Sequence, residues 1–144
     1  MGGSGTYALV ILSEKQLLLP IGSLGTCDLP SGYYIYAGSA LRGLNGRLRR
    51  HLRTDKLLHW HIDYLLLQAR VIQIWYSFSK DRLECVWNKI LAELPGAVLY
   101  IPGFGSSDCK CRTHLTYFST MPSFDKFRQE LQYRGLPQLH QLTM

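Results

Sequence analysis

Thr6-Tyr7-Ala8-Leu9-Val10-Ile11-Leu12 is an apolar run of strand length, and it decides the fold class of this chain. A second apolar run, residues 16–21, follows the polar stretch Ser13-Glu14-Lys15, whose length suits a hairpin turn. After a glycine- and proline-punctuated loop over residues 22–32, the aromatic run Tyr33-Tyr34-Ile35-Tyr36-Ala37-Gly38 predicts a third strand. Short connections between successive strands favour an antiparallel sheet.

The rest of the chain alternates helical and extended patterns. We predict a helix over 45–53, a helix over 57–69, a strand over 71–76, a helix over 81–94, a strand over 97–101, a loop over 102–113, a strand over 115–118, a helix over 124–133 and an ordered or fraying tail from residue 135. These elements predict an α+β fold with a small, mainly antiparallel sheet flanked by helices. The 144 residues are the length of one domain, so we expect a single domain over 1–144.

The helix predicted after Asn45, a good N-cap residue, has three distinguishable faces. Its apolar residues recur every fourth position and share one inward stripe: Leu44, Leu48 and Leu52. Arg47 and His51 fall on one flank of that stripe. Arg49 and Arg53 fall on the other flank, so one flank can face a cleft while the other faces water.

Positive charge is concentrated in the same region. The chain carries a formal net charge of +6, and six cations against a single acid lie between Arg42 and Lys56. This density favours an anionic partner, with a solvated helix face as the alternative. The candidate nucleic-acid contacts are Arg42, Arg49, Arg50, Arg53, Lys56 and His59.

The sequence shows no sign of export or membrane insertion. Its longest apolar run, Tyr7 to Leu12, is too short to cross a bilayer, and the start of the chain lacks the pattern of a secretory signal. We therefore expect a cytoplasmic protein with no membrane partner. Under that expectation its four cysteines are reduced thiols rather than a disulfide framework.

Cysteine and histidine cluster late in the chain. Cys109, Cys111 and His114 are three potential metal ligands within six residues, and Cys27 or Cys85 is available as a fourth. The Cys-x-Cys spacing is tighter than in most zinc sites, and a complete second half-site is missing. A structural zinc is one interpretation. The favoured interpretation is a glycine-rich turn with the thiols packed inside.

Two tripeptides carry a family resemblance. Gly5-Thr6-Tyr7 on the first strand and Tyr36-Ala37-Gly38 on the third resemble the signature tripeptides of the GIY-YIG nuclease superfamily. Arg47 and His51 stand where that superfamily carries an arginine and often a histidine on its first helix. Glu84, which opens a later helix, stands where those nucleases place their metal-binding glutamate. The resemblance implies a GIY-YIG-like fold.

Further stretches resemble one prokaryotic branch of that superfamily, known as a domain of unknown function. They are residues 34–40, 50–52, 59–65 and 104–109. The resemblance covers about residues 5–118, and 119–144 form a C-terminal helix and tail. Three features depart from the usual pattern. About 28 residues separate Tyr7 from Tyr36, Ala37 replaces an isoleucine or valine, and the spacing from Gly38 to Arg47 is one residue longer.

The resemblance implies metal-dependent phosphodiester hydrolysis on nucleic acid, with DNA as the expected partner. Glu84 would hold one Mg²⁺ or Mn²⁺, and Arg47 would grip the scissile phosphate with its planar fork. Tyr7, assisted by Tyr36, would take the proton of the attacking water, and a nearby cation would have to lower its pKa. His51 would orient the phosphate or shuttle a proton. The alternative function is a nucleic-acid-binding module whose catalytic site has lapsed.

The segment His59-Trp60-His61-Ile62-Asp63 is read differently. On a helix His59 and Asp63 are neighbours, whereas His61 points elsewhere, so the three cannot bind one ion. We expect a hydrogen bond between His59 and Asp63 that shapes the cleft wall beside the basic helix. A direct contact with substrate is the alternative.

Overall fold

A computed structural model describes residues 3–105 and 111–144, and it confirms the predicted α+β class. The elements are β1 (Gly5–Ser13), β2 (Leu17–Pro20), a short 3-10 turn (Gly22–Leu24), β3 (Thr26–Leu29), β4 (Gly32–Ala40), α1 (Leu44–Leu52), α2 (His61–Leu65), β5 (Arg70–Phe78), α3 (Glu84–Glu93), β6 (Leu115–Phe118), α4 (Phe124–Tyr133) and β7 (His140–Thr143).

The main sheet has five strands in the order β6-β4-β1-β5-β7, and every neighbouring pair is antiparallel. Strand β1 lies at the centre, where Tyr7 is paired with Gly38 of β4 and with Tyr76 of β5. Strands β2 and β3 form a separate two-stranded sheet. The predicted hairpin between the first two apolar runs is therefore wrong, because both edges of β1 are taken by β4 and β5.

Alternation along the central strands builds two cores, one on each face of the sheet. Tyr7 and Leu9 enter the core that includes side chains of α1 and α2, whereas Ala8 and Val10 enter the core that includes side chains of α3 and α4. A strand buried on both faces has no polar side to show, which explains the continuous apolar run of β1. The basic helix α1 and the helix α3, which Glu84 opens, thus lie on opposite faces.

Five predictions need correction. The helix expected over 57–69 is only His61–Leu65, because the carboxylate of Asp63 accepts hydrogen bonds from the main-chain N–H groups of His59 and Trp60, which precede the helix. The strand expected over 97–101 is a single bridge between Val98 and Tyr117. The loop expected over 22–32 contains β3, and the tail supplies β7, which pairs with β5. Helix α3 begins at Glu84 rather than at residue 81.

Helix α1 starts one residue earlier than expected, with Gly43 rather than Asn45 at the N-cap position. Leu44 and Leu48 are buried as predicted, but Leu52 at the last turn is 41% exposed. The longest helices, α3 and α4, have ten residues each, and residues 3–105 and 111–144 contain no helix with the length and hydropathy needed to cross a bilayer.

Candidate functional site

A cleft of about 500 Å³ opens at the end of β4. Strand β6 pairs with β4 only as far as Tyr36, so the last residues of β4 extend beyond this neighbour. Four of the predicted site residues line the cleft: Tyr36, Arg47, His59 and Glu84. The sequence prediction therefore located residues that the fold brings together from four separate segments.

Arg47 and Glu84 meet at one residue, Ser39. Arg47 Nη1 donates a hydrogen bond to the Ser39 carbonyl oxygen at 3.0 Å, and the Ser39 hydroxyl donates to Glu84 Oε2. The other Glu84 oxygen lies 3.3 Å from Nε of Arg82, whose side chain is largely exposed. The guanidinium comes from one face of the sheet and the carboxylate from the other, and the end of β4 is where the two converge.

Tyr7 and His51 form a buried pair beneath this cleft. The Tyr7 hydroxyl and His51 Nε2 are 2.6 Å apart, and both side chains are at most 2% exposed. Nδ1 of His51 has no hydrogen-bond partner among the described residues. The Tyr36 ring lies 6.5 Å from that of Tyr7 and 6.0 Å from that of His51, so the three rings form one aromatic cluster.

Burial sets the protonation state of this cluster at neutral pH. Desolvation raises the pKa of Tyr7 to about 12, although the guanidinium of Arg47 lowers it, and desolvation also raises the pKa of Tyr36 well above 10. Desolvation, followed by the nearby cations Lys56 and Arg47, lowers the pKa of His51 to about 3. Tyr7 is therefore the donor and neutral His51 the acceptor of their hydrogen bond.

Steric constraints explain why both tripeptides contain a glycine. A Cβ on Gly38 would lie 2.7 Å from the Tyr7 hydroxyl oxygen, so a side chain at position 38 would clash with Tyr7. A Cβ on Gly5 would lie 2.6 Å from Cδ1 of Leu44, the first residue of α1. Gly38 thus leaves room for the Tyr7 side chain, and Gly5 allows α1 to pack closely against β1.

The carboxylate of Asp63 organises one wall of the cleft. It is fully buried and accepts two hydrogen bonds of 2.9 Å from Arg50, and Nζ of Lys56 lies 3.8 Å away. Burial raises the pKa of Asp63, but the bonds from Arg50 and from the main-chain N–H groups of Trp60 and His59 outweigh it and lower that pKa to about 2. Asp63 is therefore ionised at neutral pH.

The predicted basic surface is divided by this network. Arg50 and Lys56 are half-buried; Arg50 is occupied by Asp63, and Lys56 donates to the carbonyl oxygen of His51 at 2.6 Å. By contrast, the side chains of the other four predicted contacts are exposed: Arg42, Arg49, Arg53 and His59. Two of the predicted nucleic-acid contacts thus serve the internal structure of the cleft wall.

The wall itself is built from residues 59–61. The expected bond between His59 and Asp63 exists, but the His59 main-chain N–H makes it, and the imidazole is left exposed on the cleft. Two guanidinium groups lie over the indole ring of Trp60. The guanidinium carbon of Arg47 is 4.7 Å from the ring centroid, and that of Arg50 is 4.1 Å from it. Nδ1 of His61 accepts a hydrogen bond from the Gly105 N–H at 2.8 Å.

Sequence reasoning missed the roles of Ser39 and Trp60. In the sequence Ser39 is simply the residue after Gly38. Its spacing does not indicate that side chains from two helices on opposite faces of the sheet bind it. Trp60 sits between two histidines in the quoted segment, where an aromatic residue ordinarily indicates core packing. A polar residue at the end of a strand that leads into a basic helix is the signal that could have pointed to Ser39.

The residues present fit one hard divalent cation. Glu84 is a carboxylate on the cleft, and Mg²⁺ is commonly bound by one or two carboxylates, with waters and phosphate oxygens completing its shell. The buried Glu84 is held by Ser39 and Arg82, which fixes its orientation. These features are compatible with the predicted Mg²⁺ or Mn²⁺.

A second set of ligands is beside the cleft. Single ligand atoms of Cys85, Cys111 and His114 all lie within 4.8 Å of one another. The sulfur atoms of Cys85 and Cys111 are in contact as in a disulfide, rather than apart as two separate thiols, and the two Cα atoms are 5.9 Å apart. Cys27, one of the two proposed fourth ligands, is buried in the core instead, and Cys109 lies outside the described residues.

Fold and site together define an α+β domain in which a central antiparallel sheet carries a basic helix on one face and a glutamate-led helix on the other. A family model described as Domain of unknown function DUF123 matches residues 6–134, and the chain belongs to this family. The match confirms the predicted domain-of-unknown-function family and includes α4. Curated proteins and solved structures give no significant match.

Proposed function

We propose that this protein is a metal-dependent endonuclease that hydrolyses phosphodiester bonds in DNA, with chemistry similar to that of the GIY-YIG nucleases. The observation that carries the proposal is the convergence of Arg47 and Glu84 on Ser39 in a cleft that Tyr36 also lines. A guanidinium, a carboxylate and a phenol around one open space are the groups that phosphate binding, metal binding and proton transfer require.

Each side chain has a distinct task in this reaction. Arg47 uses one of its five N–H donors on Ser39, and the others remain to bind the scissile phosphate. Glu84 would hold the Mg²⁺ or Mn²⁺, which supplies charge compensation to the phosphate and lowers the pKa of bound water. The exposed arginines Arg42 and Arg49 of the basic segment would bind neighbouring phosphates.

The Tyr7–His51 pair is the proposed path for the proton. Tyr7, with a pKa of about 12, is not ionised at neutral pH and cannot act as a base alone. It donates its hydrogen bond to neutral His51, so its oxygen can accept a proton from water as its own proton passes to His51 Nε2. This exchange breaks an O–H bond of the water, forms one at Tyr7 and moves the tyrosine proton to His51. The resulting imidazolium ion, disfavoured by the pKa of about 3, would be stabilised by the negative charge of the bound phosphate.

The test compares matched variants of the full chain on single-stranded, nicked, flapped and branched DNA, with RNA as a further substrate, in Mg²⁺ and in Mn²⁺. We expect Arg47→Ala to lower the cleavage rate by about 10²- to 10³-fold and Glu84→Gln to lower it at least as much. Arg70→Ala, at the exposed start of β5, and Glu93→Gln, at the far end of α3, are controls that should retain the chemical step. Equal cleavage by wild type and Glu84→Gln would reject the proposed site.

One observation favours the alternative of a lapsed nuclease that still binds nucleic acid. Glu84 is already engaged by Ser39 and Arg82, which compete with a metal for its oxygens. This alternative predicts binding that weakens steeply with salt, no cleavage with any metal, and equal affinity of wild type and Glu84→Gln. Binding that does not depend on salt would contradict both functions.

A further inference from the structure

We propose that Cys85, Cys111 and His114 form a zinc site that joins the start of α3 to the segment before β6. The three ligand atoms come from two separate parts of the chain and lie within 4.8 Å of one another. This site is distinct from the carboxylate site at Glu84 and does not depend on the proposed nuclease activity.

The chemistry of the ligands selects the metal. The sulfur atoms of Cys85 and Cys111 are in contact in the structure, so the proposed site forms in the reduced protein, where this pair supplies two thiolates. Two thiolates and one imidazole suit zinc, whereas magnesium and calcium prefer oxygen ligands. Cys111 and His114 are separated by two residues, a spacing common in zinc ligand pairs, and Cys85 supplies the third ligand from the first turn of α3. The fourth position of a tetrahedral ion would go to water.

The ligand segments are held in place by hydrogen bonds that do not involve the ligand atoms. The main chain of His114 donates to the Phe104 carbonyl at 2.7 Å and accepts from the Ala37 N–H at 3.2 Å. The carbonyl oxygen of Arg112 accepts from the Gly103 N–H at 2.6 Å. Ligands positioned in this way lose little conformational freedom when an ion binds, which favours tight binding.

An ion can reach this site from the cleft. Cys85 and His114 both line the cleft that holds Arg47 and Glu84, and His114 is itself buried. Because Cys85 directly follows Glu84, zinc at this position would anchor the helical turn that presents the carboxylate. The inferred role is structural: zinc would fix one side of the cleft.

The experiment measures metal content and the cobalt spectrum of the full chain, purified with a reductant and without chelators. We expect about one zinc per chain in wild type, and a thiolate-to-cobalt charge-transfer band after zinc is replaced by Co²⁺. Cys111→Ser and His114→Ala should weaken zinc binding at least about tenfold in competition with a chromogenic chelator. Cys27→Ser, which removes a buried core thiol that is not one of the ligands, is the matched control and should bind zinc like wild type.

Two results would overturn the inference. One is reduced wild-type protein that contains no zinc and gives no charge-transfer band with Co²⁺. The other is a stable disulfide between Cys85 and Cys111 in the purified protein, detected by mass and by the loss of two reactive thiols. Both measurements use wild type, so they remain decisive if a variant fails to fold.

Discussion

Replacing Asp63 by asparagine tests the buried carboxylate that organises the cleft wall. This group is fully buried, and its pKa falls from 3.8 to about 2 because hydrogen bonds from Arg50 and from two main-chain N–H groups outweigh the opposing effect of burial. A difference of nearly two pKa units corresponds to about 2 kcal/mol of the free energy of unfolding. We expect Asp63→Asn to lower that free energy by at least about 2 kcal/mol at pH 7.

The lowered pKa of Asp63 determines how the stability difference between wild type and Asp63→Asn changes with pH. The pKa of Asp63 is lowered in the folded state, so between 3.8 and about 2 the unfolded chain binds more protons than the folded chain. The stabilisation is complete above about pH 5 and is lost as the pH falls toward 2. The gap in the free energy of unfolding between wild type and Asp63→Asn should therefore shrink over that interval.

Urea unfolding followed by far-ultraviolet circular dichroism, repeated from pH 7 to pH 3, measures this gap. Asp81→Asn removes an exposed carboxylate and is the matched control, for which we expect a change within about 0.5 kcal/mol at pH 7. A gap between wild type and Asp63→Asn that stays constant over the whole range would show that the negative charge of this group does not stabilise the fold.

Three further predictions concern the residues around the cleft. Gly38→Ala should lower the free energy of unfolding by about 1 to 3 kcal/mol by a steric clash, whereas Gly46→Ala, in open space on α1, should raise it by about 0.5 to 1 kcal/mol; denaturant unfolding checks both. The imidazole resonances of His51 should stay constant from pH 8 to pH 5, and an NMR titration midpoint near about 6.5 would contradict its burial. Arg50→Ala should destabilise the fold by about 3 kcal/mol because it removes the bidentate partner of a buried carboxylate, and Arg49→Ala by no more than about 0.5 kcal/mol. Equal unfolding midpoints would refute this contrast.

Local signals predicted part of the fold to the residue. The strand over 115–118 and the helix over 124–133 have the predicted bounds, because Ser123 caps the helix and Gly135 follows its end. Strand β7 was not predicted, since His140–Thr143 is short and largely exposed. It forms because the edge of β5 has main-chain N–H and C=O groups that need hydrogen-bond partners. This need exists only once the sheet is assembled.

In the candidate site, too, local spacing predicts some features, whereas others depend on tertiary packing. Helical geometry alone placed Arg47 and His51 on a shared flank, and in the structure both lie at the cleft side of α1. The meeting of Arg47 with Glu84 was implied only by resemblance, because their helices pack on opposite faces of the sheet. The burial that shifts the pKa values of Tyr7 and His51 depends on tertiary packing, which spacing along the chain does not reveal.

The long stretch between the two tyrosine strands folds into its own small sheet of β2 and β3, and this has a practical consequence. The continuous pairing of β1 with β4 shows that those extra residues leave the alignment of the site strands intact. Gly25 lies in the exposed turn between β2 and β3, with open space where a side chain would begin. A fluorophore or an epitope inserted at this turn would report on the protein without disturbing the reactive groups.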